Sequence, residues 1–223
     1  MAVRPIFIPQ LNSKLFDEVD IEFKWIPGQA FSRKQLCVES LHKSVKEKGF
    51  NSILEISSKS LIKLGNNLSA FNLQIKVSEE KTTSVESLYQ SCKVFENGGP
   101  YKDIADLEPR RARKDDRLFN SGRLIGFRFN GANWGLETDS SFYDFLYLNA
   151  LEQNKEISSK LIDFDGFTDI EFNPQKQISC QARTAAIYVS LLKQNLLKYR
   201  ISSKEKFINL RKGNLVTKQL DLF

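Results

Sequence analysis

Glu86, Gln90 and Lys93 lie in the stretch Ser84–Tyr101, SVESLYQSCKVFENGGPY. On a helix these positions, i, i+4 and i+7, put an acid, an amide and an amine in one row. Val85, Leu88, Tyr89, Cys92 and Phe95 make an apolar stripe beside it. A polar row next to a core-facing stripe could line a pocket. Asn97, Gly98, Gly99 and Pro100 are expected to stop the helix, because glycine permits a left-handed cap and proline forbids continuation. Paired glycines also let a backbone approach a phosphate. A plainer reading is available for the same residues. Thr83-Ser84-Val85-Glu86 fits a capping box in which Glu86 bonds back to the helix start, with Gln90 and Lys93 facing water.

Other stretches carry candidate chemistry. Ser57-Ser58-Lys59-Ser60 is a hydroxyl cluster that either holds a phosphate or caps a helix over Leu61–Leu64. In a strand over Thr168–Phe172, Asp169 and Glu171 would point one way, which suits acid/base work, ribose binding or a solvent face. Phe71 is a core residue or a stacking partner for a base. Arg110, Arg111, Arg113 and Lys114 form the densest basic cluster, either a phosphate-backbone contact or a solvated face balanced by Glu108, Asp115 and Asp116. Gln181 and Arg183 stand in the first turn of the last long helix, where free amides favour an anion.

These residues need a scaffold. Val3–Pro9 reads as extended, and Ile21, Phe23 and Trp25 alternate as a strand ended by Pro27-Gly28. A helix from an N-cap at Ser32 to Lys48 would turn Leu36, Leu41 and Val45 inward. Ser52–Ile56 and Ala70–Val77 read as strands, and Asp106–Phe119 as a charged helix. Asn130-Gly131 predicts a hairpin between Leu124–Phe129 and Trp134–Leu136. Helices are expected from Ser140 or Ser141 to Gln153, over Ile157–Ile162, and over Cys180–Leu197 with Ser179 as cap. Helices outnumber strands without regular alternation, which predicts an α+β class: a mostly helical single domain with a small, mainly antiparallel sheet. The domain is expected to span residues 1–198, with a basic tail over 199–223 in which Phe207, Ile208 and Leu210 could dock a short helix.

Composition narrows the function classes. The 223 residues, 41% hydrophobic with 17 Phe, can bury a substantial core. No apolar run approaches a membrane span and the start lacks a signal-peptide core, so a cytoplasmic protein is expected. Three widely spaced cysteines fit buried free thiols. A single histidine, His42, excludes a His-rich metal site and reads as structural. The net charge of +6 is compatible with nucleic acid.

Glu86, Tyr89, Gln90, Lys93 and Phe95 resemble the E-x-x-aromatic-Q-x-x-K-x-F helix of the NADAR (YbiA-like) family. Gly65 and Leu68-Ser69-Ala70-Phe71 resemble its G-x-F-S-N-F segment, with Ala70 where the family usually has Asn. LEISSKS, LSAFNL, KVFENGGPY, FTDIEFNP and SCQAR are similar, as an ordered set, to the branch acting as antitoxin to DarT-type DNA ADP-ribosyltransferase toxins. The resemblance implies removal of ADP-ribose from guanine bases in DNA by hydrolysis of an N-glycosidic bond, with ADP-ribose as ligand or product and no further cofactor. It makes Lys93 the essential catalytic or electrostatic residue, Glu86 an acid/base or ribose holder and Gln90 a positioning group. Ser57, Ser58, Gly98 and Gly99 become candidates for the diphosphate. Ser69, Phe71, Asp169, Glu171 and Arg183 become further ligand contacts, with Arg110, Arg111, Arg113 and Lys114 facing DNA. The alternatives are an antitoxin that neutralises by binding alone, and an N-glycosidase acting on a free nucleotide or riboflavin-pathway intermediate. Gln219-Leu220-Asp221-Leu222-Phe223 is similar to the motif by which bacterial replication and repair proteins dock on the sliding clamp; it either docks there or folds back on the domain.

Overall fold

The computed structural model describes residues 1–136 and 141–211. In chain order its elements are β1 (Ala2–Pro9), β2 (Phe16–Phe23), α1 (Phe31–Glu47), β3 (Ile53–Glu55), α2 (Lys63–Asn67), β4 (Gln74–Lys76), β5 (Thr82–Ser84), α3 (Val85–Ser91), β6 (Lys93–Phe95), α4 (Pro109–Ala112), α5 (Arg117–Asn120), β7 (Leu124–Phe129), β8 (Ala132–Trp134), α6 (Ser141–Gln153), α7 (Lys155–Ser158), β9 (Gly166–Thr168), α8 (Gln181–Lys193), α9 (Leu197–Arg200) and α10 (Lys204–Arg211). The class is α+β, as the composition of elements predicts. Among the described residues no helix is long and apolar enough to cross a membrane.

The principal sheet has the order β2-β1-β9-β3. β1 and β2 pair antiparallel over their full length, and β9 enters antiparallel to β1 and parallel to β3. Ile21 and Phe23 of β2 pack with Cys37, Val38, Leu41 and Val45 of α1. The main core lies with α6 and α8, where Tyr147, Ala182, Ala185, Ala186 and Tyr188 are buried with Phe7, Leu54 and Phe167 from the sheet. Small side chains on α8 let its backbone sit close to the sheet. α2 also approaches closely: a Cβ on Gly65 would collide with the Glu55 carbonyl. The predicted hairpin forms as β7–β8, with positive φ at both Asn130 and Gly131 as its tight turn requires, but its second strand is Ala132–Trp134 rather than Trp134–Leu136.

Several boundaries differ from expectation. Helix α1 starts on Ala30 with no side-chain cap, so Ser32 lies inside it, and Leu36 is exposed. Only Gln74–Lys76 of the expected Ala70–Val77 strand is extended, because Asn72 and Leu73 turn their amides back to the Ser69 carbonyl. The expected Asp106–Phe119 helix is three short pieces: a 3-10 turn over Lys102–Asp106, then α4 and α5. Pro109 can only open a helix, and Asp115 is drawn into the Arg117 side chain rather than into a continuous helical face. Cys180, not Ser179, precedes α8. The packed body continues beyond Lys198. Phe207 and Leu210 of α10 are buried in the main core, and Phe207 meets Phe145 at 5.6 Å, so residues 199–211 are docked rather than a free tail.

Candidate active site

A cleft of about 950 Å³ opens between α3, the α4–α5 segment, the turn after β3, and the loop that joins β9 to α8. Glu86, Tyr89, Gln90, Lys93, Tyr143 and Asp169 reach it from inside, and Arg110, Arg113, Lys114, Phe119, Lys176 and Ile178 stand along it nearer solvent.

Lys93 joins Glu86 and Gln90 in this cleft, but not by the predicted route. Helix α3 ends at Ser91, and Lys93 is the first residue of β6, paired with Phe127. The row of three on one helix is therefore a row of two followed by a strand. Ser84 caps the helix by accepting from the Ser87 amide, so Ser87 occupies the position a capping box needs and Glu86 is released from it. Glu86 Oε1 instead accepts from Gln90 Nε2 at 2.9 Å, and both side chains are buried. Gln90 Oε1 is buried without a hydrogen-bond partner, which is costly unless a ligand donor reaches it. Lys93 Nζ stands over the Tyr89 ring. Burial pushes its pKa below the ordinary lysine value; the Glu86 carboxylate opposes this and Arg113 adds to it. The expected stop at Asn97–Pro100 is a tight turn behind β6. Gly99 has φ 85°, and a Cβ there would strike the Lys93 carbonyl. These glycines shape the backbone under Lys93, and neither Gly98 nor Gly99 lines the cleft as a phosphate cradle.

On the opposite wall, Ser57 and Ser58 line the cleft beside Lys59. Ser57 Oγ donates to Glu55 Oε1 at 2.6 Å and accepts from the Lys59 amide, so it is the turn's anchor. The strand ends at Thr168, so Asp169 and Glu171 do not alternate along a strand as expected. The chain turns there, with the Phe172 amide bonding the Asp169 carbonyl. Asp169 is buried and Glu171 is exposed, pairing with Lys34 at 3.4 Å, yet both face the cleft. Burial pushes the Asp169 carboxyl up to about 8, helped by the neighbouring Glu55 and opposed by a hydrogen bond from Gln181. Gln181 also accepts the Ala70 amide at 2.7 Å. A side-chain amide therefore sits beside Ala70 after all, supplied by α8. Phe71 is half-buried with one face toward the cleft.

The basic cluster divides. Arg110, Arg113 and Lys114 line the cleft and Arg111 does not. Of the three balancing acids expected there, Asp115 is committed elsewhere, pairing with Arg117 at 2.9 Å, and Arg117 also binds Asp103 at 2.6 Å; Glu108 lines the cleft with the cluster. Phe119 is 71% exposed at the same rim.

Other expected contacts are not brought to the cleft. Ser69 is buried and donates to the Asn66 carbonyl at 2.7 Å. Arg183 is directed to buried Asp144, which Thr184 also binds. The first turn of α8 thus presents Gln181 and not the arginine. Gln219–Phe223 lies outside the described residues. Sequence reasoning overlooked Glu55, which is wholly buried and accepts from Ser57, Thr168 and Ile170. A charged residue inside the apolar run Ile53–Ile56 was the available signal.

No curated protein matches the chain. A family model described as DarT1-associated NADAR antitoxin matches residues 2–220, so the chain belongs to the DarT1-associated NADAR antitoxin family.

Proposed function

We propose that this antitoxin is a hydrolase that removes ADP-ribose from guanine bases in DNA and so reverses the modification made by a DarT-type toxin. The observation that carries the reading is the meeting, in one cleft, of an amine held below its ordinary pKa and a carboxyl held above its own: Lys93 and Asp169. Cleavage of an N-glycosidic bond needs a group that receives the anomeric carbon and another that protonates the departing base. Pairs of groups with pKa values pushed toward opposite roles mark such assignments.

In the proposed reaction the neutral Lys93 amine bonds to the anomeric carbon as the bond to the guanine nitrogen breaks. Asp169 gives its proton to that nitrogen. The ionised Asp169 takes a proton from the resulting N-ribosyl ammonium and returns it to O4′ as the C1–O4′ ring bond breaks, which leaves a protonated imine. Water then adds at C1 to expel the amine, and the ring recloses as free ADP-ribose. Glu86 holds ribose hydroxyls and favours the cationic imine. Gln90 Oε1, otherwise without a partner, accepts from a sugar or base donor. Ser57, Ser58 and Lys59 hold the diphosphate, while Arg110, Arg113 and Lys114 hold the DNA backbone.

The test is an oligonucleotide carrying ADP-ribosylated guanine, followed by chromatography of released ADP-ribose. Multiple turnovers are expected. Neutralisation of the toxin without any release would leave a binding-only antitoxin, and release from free nucleotides with none from DNA would move the substrate to small molecules.

A further inference from the structure

Glu55 is wholly buried, yet no lysine or arginine among the described residues pairs with it. Its oxygens are the end point of three donors: Ser57 Oγ at 2.6 Å, Thr168 Oγ1 at 2.7 Å and the Ile170 amide at 2.9 Å. Thr168 and Ile170 are the residues on either side of Asp169. Behind Thr168 stands His42, whose Nε2 is 2.9 Å from Thr168 Oγ1. Because Thr168 gives its proton to Glu55, it must accept from His42, which fixes the histidine as the Nε2–H tautomer. Burial keeps that histidine neutral, with its pKa down to about 4. The chain of donors therefore runs one way, inward, and terminates on a carboxylate.

Glu55 and Asp169 feel each other's charge, and two such buried carboxyls do not both ionise cheaply, so the pair keeps one proton. Each is pushed up by burial, but Glu55 has three donors to stabilise a charge, and Asp169 has the Glu171 amide and Gln181. The charge thus settles on Glu55. The other ionisable groups facing Asp169 do not reverse this. Tyr143, Tyr147 and Cys180 are held neutral by burial, Glu171 is a second negative charge, and Arg4 on β1 is itself partly desolvated.

We propose that Glu55 is the positioning residue of the site: it holds the Thr168 side chain on one side of Asp169 and the Ile170 amide on the other and, by carrying the negative charge of the pair, keeps the proton on the carboxyl that faces the cleft. The catalytic half of this inference rests on the hydrolase reading above; the protonation half does not. Ser57, held by the same carboxylate, ties the phosphate side of the cleft to the acid side.

The experiment is a carboxyl-carbon NMR titration of the full chain, with Asp169 assigned by loss of its signal in Asp169→Asn. In the wild type Asp169 is expected to titrate near pH 8. In Glu55→Gln, which keeps the shape and removes the charge, the midpoint should fall by about 1 unit or more. The alkaline limb of kcat should move with it, and Glu55→Gln should have no such effect in an Asp169→Asn background. Thr168→Val is the second variant, should Glu55→Gln fail to fold: it takes one donor from Glu55, draws the shared proton toward that residue, and should lower the Asp169 midpoint in the same direction. An unmoved midpoint in a folded variant overturns the inference. A moved midpoint in a protein that releases no ADP-ribose keeps the proton-sharing pair and retires the hydrolase reading.

Discussion

Lys93 Nζ lies 5.3 Å from the centre of the Tyr89 ring. A ring face favours the ammonium form, whereas burial favours the free amine. Burial is the first cause of the lowered Lys93 pKa, and the ring beneath Nζ helps to orient the amine in the cleft.

Lys93→Ala is expected to lower the rate of ADP-ribose release by at least about 100-fold, the low end of what a positioned reacting group supplies. Lys93→Arg should be as poor, since guanidinium keeps the charge but cannot attack. Single-turnover release assays measure both. Borohydride quenching of the wild type should leave ADP-ribose attached at Lys93 in peptide mass spectra. Near-normal release by Lys93→Arg would make the role electrostatic.

Gln90→Met should separate binding from folding. It removes the orphaned Oε1 and one hydrogen bond to Glu86, so stability should change by no more than about 1 kcal/mol. Affinity for ADP-ribose should fall by roughly tenfold if a ligand donor normally reaches that oxygen, about 1.4 kcal/mol. Calorimetric titration and thermal melts on the same sample check the pair of outcomes.

Replacing Arg110, Arg113 and Lys114 together should flatten the dependence of DNA affinity on salt. The log–log slope is expected to drop by about 1 for each phosphate that is no longer neutralised. Arg111→Ala, outside the cleft, should leave the slope unchanged. Filter binding across a salt series distinguishes the two variants, and equal slopes for wild type and triple variant would return the cluster to a solvated face.

His42 should make folding acid-sensitive. Its folded pKa, about 4, lies below the unfolded 6.5, so its contribution is present above 6.5 and is lost as pH falls through 4. The span corresponds to a loss on the order of 3 kcal/mol. Asp169 works in the opposite sense: its folded pKa is raised to about 8 from 3.8, so stability declines as pH rises between those values. Between pH 6.5 and 4 the two slopes oppose each other, so the readout is a difference: in urea denaturation from pH 8 to 4, the stability of His42→Gln relative to the wild type should rise as pH falls below 6.5.

The α+β class, β1, the β7–β8 hairpin, α6 and α8 were legible because periodicity and turn residues agree there with tertiary packing. Lys93 was found for the right type and the wrong geometry. Its i+7 spacing from Glu86 counts along a helix that stops at Ser91, where β6 gains a partner strand in β7 that no local pattern announces. Asp169 and Glu171 were chosen for a strand alternation that ends at Thr168. A charge within Ile53–Ile56 marked Glu55 as unusual, but its role was not legible, because it lies in three bonds, two of them to residues more than 100 positions away. Gln181 reaches Ala70 across a similar separation. Neither link leaves a spacing to count.

The position of β9 also bears on when the protein begins to work during its synthesis. This short strand is inserted between β1 and β3, so the sheet has a vacant middle until the ribosome has made residue 168. Such distant pairings close late. A nascent chain, or a proteolytic remnant broken before Gly166, retains Lys93, Glu86 and Gln90 but has neither the interior strand nor the acid that follows it. On the hydrolase reading, a chain trimmed back past β9 is therefore expected to release no ADP-ribose.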